Sequence, residues 1–360
     1  MVYAIDALSD ALDATRAFLL PFDAGRWLRL ALITFFVFGS VGGFPPGGSF
    51  QAGDGDVRVG PVGGDRAPDG WVVGDWPGPF TSAGPGDVAL GDFEAAIWFV
   101  LAIVAVGLLL GLLYLFVGSV MEFVLYESLR SERVSVREYA GEHLGLGVSL
   151  FAFRVVLGLL AVVLAGGAAA LVFLSALSGP VTVVAALLIL APLFFLLGVV
   201  GYLLNLFTTE FVAPIMLLED RGVLSGWRRF WGVLRGDWGE FLIYALVRFG
   251  LNLAAGLVLG ILVGVVAVLL AIPFGGIGVL LWLGLGDPTT VGAGVLAVVV
   301  VLALLYALVV AVVAAVVGVP VITYLRYFAL LVLGDVDETV DLIPERRSSV
   351  RPGGTGSTAD

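Results

Sequence analysis

Five stretches of this chain, at about 93–120, 146–177, 181–218, 241–272 and 291–333, stay apolar over great length. Most exceed the ~20 residues that an α-helix needs to cross the hydrocarbon core of a bilayer. In lipid no water satisfies a bare N–H or C=O, so such a stretch must be a helix or a strand of a closed barrel. Barrel strands would show short alternating segments, and these runs do not alternate. The fold class that follows is all-α, a polytopic transmembrane helical bundle. Charged residues make up 13% of the chain, about half the share usual in a soluble domain.

Residues 1–20 read as an interfacial amphipathic helix, with Ile5, Leu8, Leu12 and Leu19 on one face and Asp6, Ser9, Asp10 and Asp13 on the other. An ordinary helix packed on one end of the bundle is the alternative. Neither a basic leader nor a cleavage site precedes it, so it is not read as a signal peptide. Pro21 ends it. Arg26, Trp27 and Arg29 then anchor a first span within residues 21–43. Residues 44–91 are dense in Gly, Pro and Asp and read as a loosely ordered extracytoplasmic loop. Residues 92–333 hold five further spans, giving about six in all, with a tight turn at Ser178–Pro180 and an outer hairpin at 273–290. Pro192 and Pro214 suggest kinks in the fourth span, and Pro320 with Arg326 suggests that the last run bends or leaves the core near Val319. The tail, 334–360, reads as disordered.

The arginines orient the bundle. Arg16, Arg26, Arg29, Arg130, Arg133, Arg137, Arg221, Arg228, Arg229, Arg235, Arg346, Arg347 and Arg351 fall in segments on one side, and only Arg58 and Arg66 on the other. The positive-inside rule then places both termini in the cytoplasm of a multi-pass cell-membrane protein. Two interfacial elbow helices are expected on that side. One carries Arg137, Glu138 and His143. The other carries Trp227, Phe230, Trp231 and Leu234 on one side, with Arg228 and Arg235 opposite. Trp227, Arg228, Arg229, Trp231 and Arg235 are candidate headgroup-binding residues, since indole favours the interface and guanidinium pairs with phosphate.

A repeated pattern places charge at depth. Glu122-Phe123-Val124 and Glu210-Phe211-Val212 each precede a second acid (Glu127, Glu219), an Arg-bearing elbow and a lone Arg in the next span (Arg154, Arg248). An isolated charge near the bilayer centre costs about 3 kcal/mol on insertion scales. Glu122 is therefore expected to pair with Arg154 and Glu210 with Arg248, or crosswise, around a polar pocket that Asn205, Thr208, Thr209 and Asn252 would line. Structural ion pairs, or arginines snorkelling to the interface, are the alternatives. Gly107 and Gly111, and Gly256, Gly260 and Gly264, are spaced for close helix approach, within the chain or in a dimer.

No catalytic, metal or nucleotide motif is present, and no cofactor is implied. The chain has no Cys and one His, His143, which removes the usual thiolate and imidazole ligand sets. All 18 basic residues are Arg, and the net charge of −11 argues against nucleic-acid binding, which needs a basic face. An acidic, lysine-free, Ala/Gly/Val-rich chain resembles proteins of salt-loving archaea, although GC-rich coding gives the same bias.

From Phe211 to Leu251 an apolar run ends in Pro214, an acid precedes a glycine turn (Glu219 to Gly222), Trp227-Arg228-Arg229 follow, and Arg235 to Trp238 lead into the next span. This pattern is similar to the membrane domain found beside glycerophosphodiester phosphodiesterases. With the Leu19–Leu32 opening, the whole chain resembles multi-pass membrane proteins of halophilic archaea. The resemblance implies a six-helix bundle with cytoplasmic elbows. It carries no catalysis, because the phosphodiesterase chemistry of those fusions belongs to a separate soluble domain. The expected function is a non-enzymatic accessory or organising role in the lipid bilayer, through a lipid headgroup or a membrane-protein partner. The alternative is a transporter or exporter of a small solute that uses the buried Glu/Arg pairs.

Overall fold

The computed structural model describes residues 3–40, 90–284 and 293–351. The loop expected over 44–91 lies almost wholly outside the described residues, as do most of the 284–290 turn and 352–360. The described elements, in order, are α1 (Tyr3–Leu19), α2 (Ala24–Ser40), α3 (Leu90–Ser131), α4 (Val136–Glu142), α5 (Leu144–Ser178) and α6 (Pro180–Phe207). A π-helical segment (Thr208–Val212) leads directly into α7 (Ala213–Glu219). Then come α8 (Val223–Gly236), α9 (Trp238–Gly284), α10 (Ala293–Val336), a 3₁₀ turn (Glu338–Val340) and α11 (Pro344–Val350). Among the described residues there is no strand.

Among the described residues, five helical stretches are long and apolar enough to cross a membrane: Val100–Ser131, Leu144–Ser178, Pro180–Glu219, Trp238–Leu280 and Val298–Val336. The sixth expected span is α2, whose 17 described residues rise only about 25 Å at ~1.5 Å per residue. Two expected breaks do not occur. Helix α9 continues through Pro273, and α10 runs through Pro320 without leaving the core. A proline removes one backbone hydrogen bond, and neighbouring helices can compensate for that within a bundle.

The chain divides into two compact units. The first comprises Met1–Gly43, Tyr114–Leu259 and Ala314–Asp360. Three helical stretches here are buried on every side: Phe123–Tyr126, Phe211–Ala213 with Ile215 and Met216, and Tyr327–Leu333. A helix that is apolar all round belongs at a centre, with others packed about it. Around these sit α1, which turns Ala7, Ala11, Ala14 and Phe18 inward, and α2, which buries Leu30, Ile33 and Val37. The inward face of α1 is thus its alanine stripe. Ile5 and Leu12, on the expected apolar face, are exposed, while the small alanine side chains permit close approach on the other side. At the α5–α6 hairpin, Gly179 turns the chain with φ +121. Val156, Leu177, Val181, Leu188 and Phe195 on this hairpin stay exposed, an apolar surface that lipid would cover. In the second unit, Phe44–Leu113 with Gly260–Val313, the Tyr306 hydroxyl donates to the Ala267 carbonyl at 3.0 Å and Tyr306 meets Phe274 edge-on.

The tail is folded through Arg351, contrary to its polar composition. Arg347 pairs with Asp341 at 2.8 Å and with Asp335, Arg346 with Glu132 at 2.6 Å, and Arg351 with Asp335 at 2.7 Å and with Asp10. Val340, Leu342 and Ile343 add an apolar plug. Charges that read as solvated in the sequence are thus partners for the rest of the fold.

Within the described residues, the tightest glycine contact is not at Gly107, Gly111, Gly260 or Gly264. A Cβ built on Gly107, Gly111, Gly260 or Gly264 meets nothing within 4 Å among the described residues. One built on Gly147 lies 2.5 Å from Val120 Cγ2 and 3.0 Å from Val120 Cα, where α5 crosses α3. Gly147→Ala is therefore expected to destabilise by about 1–3 kcal/mol through overpacking. Gly145→Ala, in open space, should be neutral or stabilising by up to ~1 kcal/mol. Thermal unfolding of the two variants in one detergent compares them directly.

Candidate functional site

Helical spacing assembles the interior charges. Ser119, Glu122 and Tyr126 lie at i, i+3 and i+7 on α3, and Tyr244, Arg248 and Asn252 at i, i+4 and i+8 on α9, so each trio shares a face. Glu210 sits in the π segment, whose wider turn re-aims side chains and is frequent at functional sites. The Thr209 carbonyl there accepts a hydrogen bond from the Tyr126 hydroxyl at 2.7 Å.

Both expected pairs are formed, and a third arginine joins them. Arg248 donates to Glu210 Oε1 through Nε at 2.7 Å and lies 2.6 Å away through Nη2. Tyr244 donates to the other Glu210 oxygen. Arg154 reaches Glu122 Oε2 at 3.5 Å and donates to Ser119 Oγ and Thr209 Oγ1, both at 3.2 Å. Arg326 stands between the pairs, with Nη2 2.5 Å from Glu122 Oε1 and Nη1 3.4 Å from Glu210 Oε1. Its guanidinium also lies 5.5 Å from the centre of the Tyr126 ring, within cation–π range. Glu122, Glu210 and Arg326 are all at most 3% exposed. Glu210 receives aligned hydrogen bonds. Glu122 is held by charge proximity alone, its oxygens lacking a well-directed donor.

The network thus ties α3, α5, the π segment, α9 and α10 together with three guanidiniums and two carboxylates. Arg248 also donates to Asn252, whose amide reaches the Tyr202 hydroxyl at 3.3 Å. Thr208 instead accepts from Trp227. No side-chain hydrogen bond joins Asn205 to the network among the described residues. Arg326, Tyr126, Tyr244 and Ser119 were not foreseen as members. A lone arginine in an apolar run demands a buried carboxylate, and that signal pointed to Arg326 as it did to Arg154 and Arg248.

Helix α8 packs differently from its expected tryptophan face. Val223, Gly226, Phe230 and Val233 form its buried stripe. Phe230 stacks on Phe211 at 5.4 Å and meets Phe241 edge-on, and Trp227 N–H donates to Thr208 Oγ1 at 3.0 Å. Trp231 lies about 100° round the helix from Phe230 and faces outward, 47% exposed. The outward face carries Leu224, Arg228, Trp231 and Arg235, with the Arg235 guanidinium over the Trp231 ring at 5.1 Å. Arg229 is not on that face. It holds Glu219 at 3.5 Å, Asp337 at 3.1 Å and the Thr339 hydroxyl at 2.6 Å, clasping the tail. Thr339 hydrogen bonds, aided by Arg229, keep the Asp337 carboxyl below its ordinary pKa.

An all-helical chain with apolar outer faces and a core of paired charges is, by class, a membrane-embedded protein. Residues 2–343 match the model of a family of unknown function, DUF7544, and the chain belongs to that family. No curated protein and no solved structure matches it.

Replacing Arg326 by Met removes the nearest partner of Glu122 and leaves that carboxylate with Arg154 alone at 3.5 Å, and is expected to cost about 1–3 kcal/mol. Arg326→Lys should recover only part, because an ammonium cannot fork between two carboxylates. Asn205→Ala should change little. Detergent unfolding curves of the three variants rank these costs.

Proposed function

We propose that this protein is a non-enzymatic, multi-pass membrane protein with an accessory or organising role, engaging lipid headgroups or a membrane partner through the outward face of α8. The observation that carries this reading is how its arginines are used. Arg154, Arg248 and Arg326 are consumed in holding helices together, and Arg229 in holding the tail. Arg228 and Arg235 have no ion-pair partner among the described residues, and they flank an exposed tryptophan and leucine. Guanidiniums beside apolar side chains suit the boundary between headgroups and acyl chains. In this reading α4 and α8 are cytoplasmic elbows. The spans are α2, α3, α5, α6 with α7, α9 and α10, and the 44–91 segment lies outside. The likeness of the Phe211–Leu251 segment to phosphodiesterase-associated membrane domains supports such a bundle and adds no catalysis.

Arg228→Ala with Arg235→Ala and Trp231→Ala should leave the unfolding midpoint within about 0.5 kcal/mol of the parent, as expected for surface changes. The triple variant should lose retained lipid or partner in native mass spectra of protein extracted with its own lipids. Unchanged retention would sink the reading. As the chain has no Cys, single cysteines report sidedness without background. With a membrane-impermeant maleimide on intact cells, Ser82→Cys should label and Ser348→Cys should not.

A transport role has one observation in its favour, the polar row from buried Glu210 through Arg248 and Asn252 to half-exposed Tyr202. Solute flux into reconstituted vesicles that disappears in Glu210→Gln, with folding intact, would favour it over the accessory role.

A further inference from the structure

The start of α2 and the turn from α3 to α4 enclose a cleft of about 380 Å³, near the lower end of the ~300–1,000 Å³ usual for small-ligand sites. Arg26, Arg29 and Arg133 line it together with Asp23, Glu132 and Ser135. The two acids in its wall are already committed. Asp23 Oδ1 caps α2, accepting from the Gly25 N–H at 2.7 Å and the Arg26 N–H at 3.1 Å. Glu132 pairs with Arg346 at 2.6 Å. None of the three arginines has an ion pair within 4 Å among the described residues. Arg26 donates to the Pro21 carbonyl at 2.9 Å and Arg29 to the Val134 carbonyl at 3.1 Å. These bonds fix two guanidiniums in place without neutralising them, and the Arg26 Nε is buried with no acceptor at all. The Arg26 guanidinium is further held over the Phe18 ring at 5.6 Å.

From this convergence we infer that the cleft binds a phosphate-bearing anion. Two positioned guanidiniums and a third, Arg133, none in an ion pair within 4 Å among the described residues, match the planar, multidentate recognition of phosphate oxygens. Nearby, Leu20, Phe22 and Leu28 are each at least 60% exposed, an apolar rim on which acyl chains can lie. The phosphate can thus belong to a phospholipid headgroup or to a soluble species. The site is independent of α8, which contributes nothing to it.

The test uses the full chain in the Arg228→Ala/Arg235→Ala background, so that lipid held by α8 does not register. Arg133→Glu is the principal variant, because its side chain makes no contact that the fold needs among the described residues. Arg26→Gln with Arg133→Gln is the second. Two probes are applied: nanodiscs of phosphatidylcholine with or without phosphatidylglycerol, followed by native mass spectrometry of the released protein, and inorganic phosphate in a thermal-shift titration against chloride at equal ionic strength. Loss of one charge-assisted contact should weaken binding about tenfold or more. Phosphatidylglycerol adducts that fall in both variants, with no phosphate response, assign a lipid headgroup. A phosphate-induced shift in the background protein that is lost in Arg133→Glu, without lipid adducts, assigns a soluble phosphate. If both variants elute as folded protein and match the background protein with both probes, the inference is overturned.

Discussion

A guanidinium held between two carboxylates, away from water, is attracted by both and offers donors to oxygens that would otherwise be stranded. Arg326 does this at the meeting point of α3, the π segment and α10, and the Glu122–Arg154 and Glu210–Arg248 pairs extend the contact to α5 and α9. Buried ion pairs often contribute little net stability once desolvation is counted, but removing one partner is costly. The network's chief effect is therefore on arrangement. Any slip of one helix past another would strand a charge in a low-dielectric interior, so the register of five elements is set at one place. The π segment belongs to the same constraint, because its extra width lets Glu210 receive Arg248, Tyr244 and Arg326 together.

The aromatic box around Phe230 and the salt-bridged tail close one end of the first unit. They do so by different physics. Phe207, Phe211 and Phe241 pack α8 by area and ring geometry, whereas Arg229, Arg346, Arg347 and Arg351 attach the tail by charge. Screening by salt does not act on the first and weakens the second, least at the buried side chains of Asp335 and Asp341.

Much of the site was legible because lipid makes lone charges expensive. Glu122, Arg154, Glu210 and Arg248 stood out from apolar runs, and their repeated spacing gave the pairing. Arg326 obeyed the same rule and was misassigned because Pro320, six residues earlier, suggested that the run had left the core. A proline's effect on a helix depends on neighbours that sequence does not reveal. The outward placement of Trp231 was misjudged for a related reason. Trp227, Phe230 and Trp231 fit one loose stripe, and only the close contact at Gly226 with Val212 and Met216 fixes which side faces inward. The folded tail was illegible because composition cannot distinguish arginines that meet water from arginines that meet Asp10, Glu132 and Asp335.

The pairing pattern also bears on how the chain is made. Each of the two repeated units brings its own acid and its own base, Glu122 with Arg154 and Glu210 with Arg248, so each can leave the insertion machinery as an electrically neutral group. Within the buried network, only Arg326 arrives without a carboxylate partner from its own stretch of chain. It is synthesised after both carboxylates are in place, and it enters as the final piece that completes them. A chain truncated before Arg326 would still hold two balanced Glu/Arg pairs, without the bridge that joins them.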